Sequence, residues 1–114
     1  MPRDETFLLY MLLAAKRVAL YVKGVSRKQF DADMKLMDSV VFQLGNIGEA
    51  ANQVSRDFQQ IHPEIPWSKI IGMRHRIFHH YTEVDWEIVW IAATVEVPVL
   101  LRALEPLVPP EEKA

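Results

Sequence analysis

Apolar residues recur at spacings of three and four along most of this chain, and strand-like alternation is nearly absent. A spacing of three to four matches one face of an α-helix. Glycine is also scarce, with four in 114 residues. Because short connections between long helices make neighbours antiparallel, the sequence predicts an all-α, up-and-down bundle of four main helices with a short extra helix.

The first two predicted helices have clear ends. One runs from about residue 5 to residue 22, and Gly24 suits the left-handed position that follows a helix C-terminus. Ser26 and Gln29 have the spacing of a capping box, in which each side chain bonds the other residue's backbone N–H. A short helix is therefore expected to begin there and to break near Asp31.

A long helical pattern follows, from about residue 32 to residue 60. Gly45 and Gly48 interrupt it, each at a cost of roughly 1 kcal/mol relative to alanine. Close approach of another backbone, or a local bend, would explain such a cost. The sequence therefore predicts one of these two features near the glycines.

A segment with two prolines, His62–Trp67, divides the second half of the chain, because proline restricts itself and the preceding residue to non-helical conformations. A third main helix is expected over about residues 69–80. Asp85 is a good N-cap for a last helix that reaches about residue 104. Pro98 should kink that helix, since it removes one backbone donor.

Length and composition bound the class of protein. One domain is expected over residues 1–114, with residues 109–114 as a flexible tail. The net charge of −2 argues against a protein that coats nucleic acid, so any contact with RNA or DNA must be local. Cysteine is absent, which excludes a disulfide framework and cysteine-ligated zinc. With no spanning apolar segment and no signal-peptide pattern, we expect a cytoplasmic protein without membrane contact.

The stretch Met73–Tyr81 gathers two arginines, three histidines and a tyrosine into nine residues. No Asp or Glu occurs between residues 65 and 82, so this stretch is cationic. In the simplest interpretation, the cations complement the negative C-terminal end of a helix dipole. A cationic surface of this kind is also a docking place for phosphate.

Metal binding is a second interpretation of the cluster. His75 and His79 are four residues apart and would lie on one helical face. Glu83 or Asp85 would have to supply a third ligand, and the neighbouring arginines would repel a divalent cation. No metal site is therefore predicted.

Cleavage of RNA is the third interpretation. Without a metal ion it requires a base for the 2′-OH proton, an acid for the leaving oxygen and a cation for the charge of the transition state. Histidine and arginine supply these roles. Arg74 and His79 are five residues apart and diverge by about 140° on a helix, so they need the length of arginine or a second chain to meet. A dimer would supply that chain.

The run Gly72–Tyr81 resembles the R-x4-H-x-Y motif of the HepT-like branch of the HEPN superfamily. Three other segments are similar to the recurrent segments of that family, in order and at familiar separations. They are Asn46–Ala51, His62–Trp67 and Val84–Trp90. Together the matching segments cover most of residues 36 to 104.

This resemblance implies a helical, HEPN-like homodimer whose two motifs converge in a cleft. Arg74 would bind or polarise the phosphate, and His79 would act as general acid or base beside a second histidine from the partner chain. His75 would help to orient the site. Similar proteins are endoribonuclease toxins that cut RNA without a metal or other cofactor.

The resemblance also implies a second protein. Similar toxins are paired with an antitoxin of the minimal nucleotidyltransferase type, which can transfer AMP to the motif tyrosine, here Tyr81. A phosphate at that position would occupy the place of the substrate and neutralise the charge of the cleft.

Two other functions stay open. The chain could be a non-catalytic subunit that presents nucleotide or another substrate to a separate nucleotidyltransferase, which its near-neutral charge would suit. It could instead be a dimerisation module with a degenerate site. His80 favours the second alternative, because the family commonly has a small residue there, often Gly, and an imidazole could crowd the cleft.

The residues that accompany the motif are expected to be structural. Glu49 is interpreted as a helix-surface residue or a partner for a cation, and Asn46 as a hydrogen bonder in helix packing. Trp67, Trp86 and Trp90 are expected to anchor the core or the dimer.

Overall fold

Helices make up most of residues 2–79 and 83–109, the parts of the chain that the computed structural model describes. In chain order the α-helices are α1 (Pro2–Val22), α2 (Arg27–Asp31), α3 (Met34–Gln53), α4 (Arg56–Ile61), α5 (Trp67–Ile71), α6 (Met73–Ile77), α7 (Trp86–Ile91) and α8 (Val97–Leu104). A π-helical segment, Ala92–Glu96, joins α7 to α8, and a 3₁₀ turn, Glu105–Leu107, follows α8. The prediction of an all-α fold is confirmed, whereas the count of four main helices and the dimer stay predictions.

The core lies between α1, α3 and the column formed by α7, the π-helical segment and α8. Each of these elements turns an apolar stripe toward the others, and burying a side chain of the size of leucine contributes roughly 1.5–3 kcal/mol. Fully buried side chains include Met11, Leu12, Val18, Val40, Leu44, Val89 and Leu104. Phe30 of α2 closes the core beneath Trp86 and Trp90, at ring-centroid distances of 6.1 and 5.1 Å.

The ends of α1 and α2 follow the local rules of the sequence. Gly24 has a φ of 71°, the left-handed conformation that glycine adopts without strain. The backbone N–H of Gln29 donates to Ser26 Oγ at 3.1 Å, and the backbone N–H of Ser26 donates to Gln29 Oε1 at 2.9 Å. The predicted capping box is therefore confirmed.

The prediction of a single helix over residues 32–60 is wrong, because α3 ends at Gln53 and α4 begins after Ser55. The cause is Asp4, a buried carboxylate on α1. It accepts the backbone N–H of Ser55 at 2.9 Å and the hydroxyl of Ser55 at 2.7 Å. The two bonds hold Ser55 in the extended conformation of an N-cap, which ends one helix and starts the next.

Gly45 and Gly48 do not break α3. A Cβ at Gly48 would lie 2.8 Å from the carbonyl oxygen of Ile70, so α3 crosses the backbone of α5 here with room only for glycine. Close approach of another backbone, one of the two predicted features, is thus confirmed. This crossing fixes α5 and α6 against α3.

The predicted helix over residues 69–80 is present as two short helices, α5 and α6, separated at Gly72. The prediction was wrong about its end, because α6 stops at Ile77. Phe78 is extended and forms an antiparallel bridge with Val84. Arg74, His75 and Arg76 are therefore helical, whereas His79 lies beyond the helix.

The last helix begins where predicted. Asp85 Oδ1 accepts the backbone N–H of Ile88 at 3.1 Å and so caps α7. Helical structure then continues to Leu104, and the disturbance near Pro98 is the π-helical segment that directly precedes α8. That segment carries Glu96, which faces α6.

No helix within residues 2–79 and 83–109 is both long and apolar enough to cross a membrane. The predicted tail falls almost entirely outside these residues, since the described part ends at Pro109.

Candidate functional site

α6 carries two arginines that point in different directions. Its buried side chains, Met73 and Ile77, face α3 and the core. Arg74 and Arg76 are two positions apart and so diverge by about 160° around the helix axis. The cluster that is continuous in the sequence is therefore divided between two surfaces.

Arg76 is bound to a carboxylate. Its Nη1 and Nη2 donate to the two carboxylate oxygens of Glu96 at 3.2 and 3.0 Å, and Lys69 Nζ lies 3.1 Å from Glu96 Oε2. Burial of Glu96 opposes its ionisation, but the hydrogen bonds from Arg76 and Lys69 outweigh burial and hold the pKa of Glu96 below its ordinary value. The hydrogen bonds of Arg76 to Glu96 thus join α6 to the π-helical segment that precedes α8.

Arg74 has different surroundings. Its side chain is exposed, and its guanidinium lies over the ring of Phe78, 5.6 Å from the ring centroid. Its Nη1 also lies beside Gly45, where an added Cβ would be 3.6 Å away. No Asp or Glu among the described residues forms an ion pair with it. Arg74 is a positioned cation whose charge is available to a ligand.

A groove of about 360 Å³ runs past Arg74, between α3, α6 and α7. We call it the Arg74 groove. It is lined by Asp38, Val41, Phe42, Gly45, Asn46, Glu49, Arg74, Phe78, Val84 and Trp86. Asn46 and Glu49 are exposed there, and Asn46 Nδ2 donates to Gln43 Oε1 on the same helix at 3.4 Å. Asn46 therefore faces the groove, and its hydrogen bond to Gln43 stays within α3, whereas Glu49 lies on the helix surface, as predicted.

An apolar surface adjoins this groove. A second depression, of about 520 Å³, lies between α1 and α3 and shares Phe42, Asn46 and Glu49 with the first. Phe42 is 64% exposed, and Tyr10 on α1 is 53% exposed. Large apolar side chains at such exposure, lining the same depression, are typical of a surface that contacts another molecule.

His79 lies just beyond α6 and pairs with Asp85. Its Nε2 is 3.0 Å from Asp85 Oδ2, and its backbone N–H donates to the carbonyl of Glu83 at 3.0 Å. The backbone N–H of Asp85 donates to the carbonyl of Ile77 at 2.7 Å. The hydrogen bond from His79, followed by that from the backbone N–H of Ile88, holds the pKa of Asp85 below its usual range.

The structure places the predicted site residues in separate settings. Arg74 lines the groove, whereas His79 is bonded to Asp85, and no described contact joins the two within one chain. His75 is exposed and has no hydrogen bond to a described residue. Tyr81 and His80 lie outside the described residues.

Asp85 is a residue that the sequence indicated only as a helix cap, or as one of two possible metal ligands. Its second carboxylate oxygen binds His79 because the Phe78–Val84 bridge brings the two residues together. A local pattern contains no signal for such a bridge. Within residues 2–79 and 83–109, no three side chains of His, Cys, Asp or Glu are grouped closely enough to hold a metal ion.

Comparison with known proteins gives a family. The chain matches the family model described as "Ribonuclease HepT-like" over residues 11–107. It is 30% identical over 112 residues to "Putative RNase TTE0752" of Caldanaerobacter subterraneus subsp. tengcongensis, a match that covers 98% of this chain and 100% of that protein. It is 31% identical over 94 residues to "Probable ribonuclease HepT" of Thermococcus cleftensis, covering 82% of this chain and 86% of that protein. No solved structure matches the chain.

Proposed function

Because the chain belongs to the family of HepT-like ribonucleases, we propose that it is a metal-independent endoribonuclease that cuts RNA with Arg74 and His79. The observation that carries this proposal is the contrast between the two arginines of α6. Arg76 is paired with Glu96, whereas Arg74 lies in a groove with no carboxylate ion-paired to it among the described residues. Arg74 is thus the cation of α6 that can receive a phosphate.

The proposed reaction needs two proton transfers. A neutral imidazole takes the proton of the 2′-OH, and O2′ forms a bond to phosphorus while the P–O5′ bond breaks. A protonated imidazole gives its proton to the leaving O5′. The products are a 2′,3′-cyclic phosphate and a 5′-OH end. Arg74 donates to the phosphate oxygens, whose negative charge increases in the transition state.

A homodimer supplies the two imidazoles. Each chain contributes one His79, and the partner's His79 takes the second role. The apolar surface beside the Arg74 groove supports this assembly, because Tyr10 and Phe42 would lose exposed area against a second copy. Contact there would bring two Arg74 grooves side by side, so that one RNA strand meets residues of both chains.

The regulatory part of the proposal is a toxin–antitoxin pair in the cytoplasm. A nucleotidyltransferase antitoxin would transfer AMP to Tyr81, two residues after His79 in the sequence. The added phosphate would repel RNA phosphate and occupy its place, which explains how such a modification would stop cleavage. The sequence resemblance supports this part.

RNA cleavage assays with the purified protein test the proposed ribonuclease activity. We expect the wild type to cut RNA equally well with and without EDTA, and Arg74→Ala and His79→Ala to abolish cleavage while keeping the dimer. Arg102→Ala is the matched control, because Arg102 is an exposed arginine on α8 that does not line the Arg74 groove. If the wild type cuts no RNA and is harmless when expressed alone, the proposal is wrong. Nucleotide binding by that inactive dimer would favour the non-catalytic subunit.

Co-expression with a nucleotidyltransferase encoded beside this chain tests the regulation. We expect intact-mass analysis to find one or more added AMP units, and fragmentation to place them on Tyr81. Tyr81→Phe should remove the added mass and restore toxicity in the presence of the antitoxin. Unmodified Tyr81 in a fully neutralised pair would contradict this part alone.

A further inference from the structure

His79 and Asp85 are held to each other by their backbones as well as by their side chains. The backbone N–H of His79 donates to Glu83, and the backbone N–H of Asp85 donates to Ile77. Asp85 Oδ1 is occupied by the backbone N–H of Ile88, which leaves Oδ2 to face the imidazole at 3.0 Å. The carboxylate therefore has one orientation, and it fixes the orientation of the ring.

This arrangement determines which ring nitrogen carries the proton. A carboxylate can only accept, so Nε2 of His79 must be the N–H that donates to Asp85. In the neutral ring Nδ1 is then the acceptor, and in the cation Nδ1 is the second donor. The His79 side chain is 53% exposed, whereas that of Asp85 is 28% exposed. His79 is therefore the more solvent-accessible member of the pair.

We propose that Asp85 is the positioning residue of His79, holding the ring so that Nδ1 is the nitrogen that exchanges protons with RNA. This inference rests on the proposed function, in which His79 is the general acid or base. Asp85 itself touches no substrate. It acts by fixing the tautomer and the orientation of the ring.

The other charged groups around the pair do not replace Asp85. Among the described residues of the elements packed nearby, the remaining titratable or charged side chains are Arg74, His75, Arg76, Glu83 and Glu87, with Asp38 and Glu49 across the Arg74 groove. Arg76 is paired with Glu96, and Glu87 is paired with Arg27. Among the described residues, only Asp85 bonds the His79 ring.

Asp85→Asn separates positioning from capping. Asparagine is as good an N-cap as aspartate, so its Oδ1 can keep the bond from Ile88. Its amide N–H2 would then face Nε2 of His79, and a donor there forces the ring to accept at Nε2 and to carry its proton on Nδ1. The variant keeps the helix and reverses the tautomer.

Asp33→Asn is the matched control. Asp33 caps α3 in the same manner, with Oδ1 accepting the backbone N–H of Leu36 at 3.0 Å. It has no histidine partner in the described part of the chain. Any loss shared by the two variants is therefore a capping effect.

Two measurements on the full-length dimer test the proposal. Long-range ¹H–¹⁵N correlation spectra should show the Nε2–H tautomer of His79 in the wild type and in Asp33→Asn, and the Nδ1–H tautomer in Asp85→Asn. RNA cleavage by Asp85→Asn should fall about a hundredfold or more, because the ring then carries its proton on the wrong nitrogen. Asp33→Asn should keep the wild-type rate.

The proposal is overturned if the wild-type ring is the Nδ1–H tautomer. It is also overturned if Asp85→Asn cleaves RNA at the same rate as Asp33→Asn. Failure of the proposed function gives a different result: the wild type would cut no RNA, although Asp85→Asn would still change the tautomer of the ring.

Discussion

Arg74 and Arg76 stand two residues apart on one short helix, yet their surroundings differ in almost every respect. Arg76 makes two hydrogen bonds to Glu96 and shares that carboxylate with Lys69. Arg74 lies against Gly45 and Phe78 in an open groove. This difference shows that the residues of a cationic cluster in a sequence do not all serve one function. The partners of each side chain decide whether its charge stabilises the fold or is available to a ligand.

The largest expected effect is the loss of RNA cleavage when Arg74, on the groove side of α6, is replaced. Arg74→Ala should reduce RNA cleavage below detection, a loss of at least about a hundred- to a thousandfold, because one stabilising contact to the transition state is lost. The midpoint of thermal unfolding should stay close to that of the wild type, since no described ion pair is broken. Kinetic assays and thermal melts of both proteins measure the two quantities. A clearly lower melting temperature of Arg74→Ala would show that Arg74 stabilises the fold, as Arg76 does.

The opposite result is expected for Arg76. Arg76→Ala should destabilise the protein by about 1.5–3 kcal/mol, because it removes two hydrogen bonds to a partly buried carboxylate. Cleavage per folded molecule should stay near the wild-type rate. Urea unfolding gives the free energy, and rates corrected for the folded fraction give the activity. A large loss of rate in fully folded Arg76→Ala would remove the distinction between the two arginines.

Substitutions of Gly48 and Gly45 compare two positions on α3, one at the close crossing with α5 and one beside Arg74. Gly48→Ala should cost about 1–3 kcal/mol, because its Cβ would press on the carbonyl of Ile70 and push α5 and α6 outward. Gly45→Ala is its matched control on the same helix. Its Cβ would meet Arg74 Nη1 at 3.6 Å, an ordinary contact. We therefore expect Gly45→Ala to raise the free energy of unfolding by up to about 1 kcal/mol through helix propensity. Equal unfolding free energies for the two variants would contradict the close crossing.

The smallest expected effect depends on pH. The pKa of Glu96 is lowered in the folded state, so its ion pairs stabilise the protein above the ordinary pKa of glutamate, and this stabilisation is lost as pH falls through the lowered value. The unfolding free energy of wild type minus that of Glu96→Gln should be greatest near neutral pH and should shrink in acid. Urea unfolding at several pH values measures this difference in free energy. A difference that grows in acid would contradict the pairing of Glu96 with Arg76 and Lys69.

Local sequence rules predicted the features that depend on near neighbours. The capping box of Ser26 and Gln29, the left-handed Gly24 and the N-cap at Asp85 all involve residues within four positions of one another. These rules predicted helix starts well, because a cap is made by one side chain and the backbone beside it.

The features that could not be predicted depend on distant partners. The break after α3 is made by Asp4, 51 residues before Ser55 in the chain. The division between Arg74 and Arg76 depends on Glu96, 20 residues after Arg76 and carried by a π-helical segment. The pairing of Asp85 with His79 depends on a single bridge between Phe78 and Val84. The motif therefore indicated the candidate site residues, and the tertiary contacts place them in different settings.

The most direct test of this division is the chemistry of the RNA ends left by wild type, Arg74→Ala and Arg76→Ala, each at equal folded concentration and in EDTA. We predict 2′,3′-cyclic phosphate and 5′-OH ends from the wild type and from Arg76→Ala, and no cleavage by Arg74→Ala. Active Arg74→Ala, or loss of cleavage in both arginine variants alike, would contradict the account.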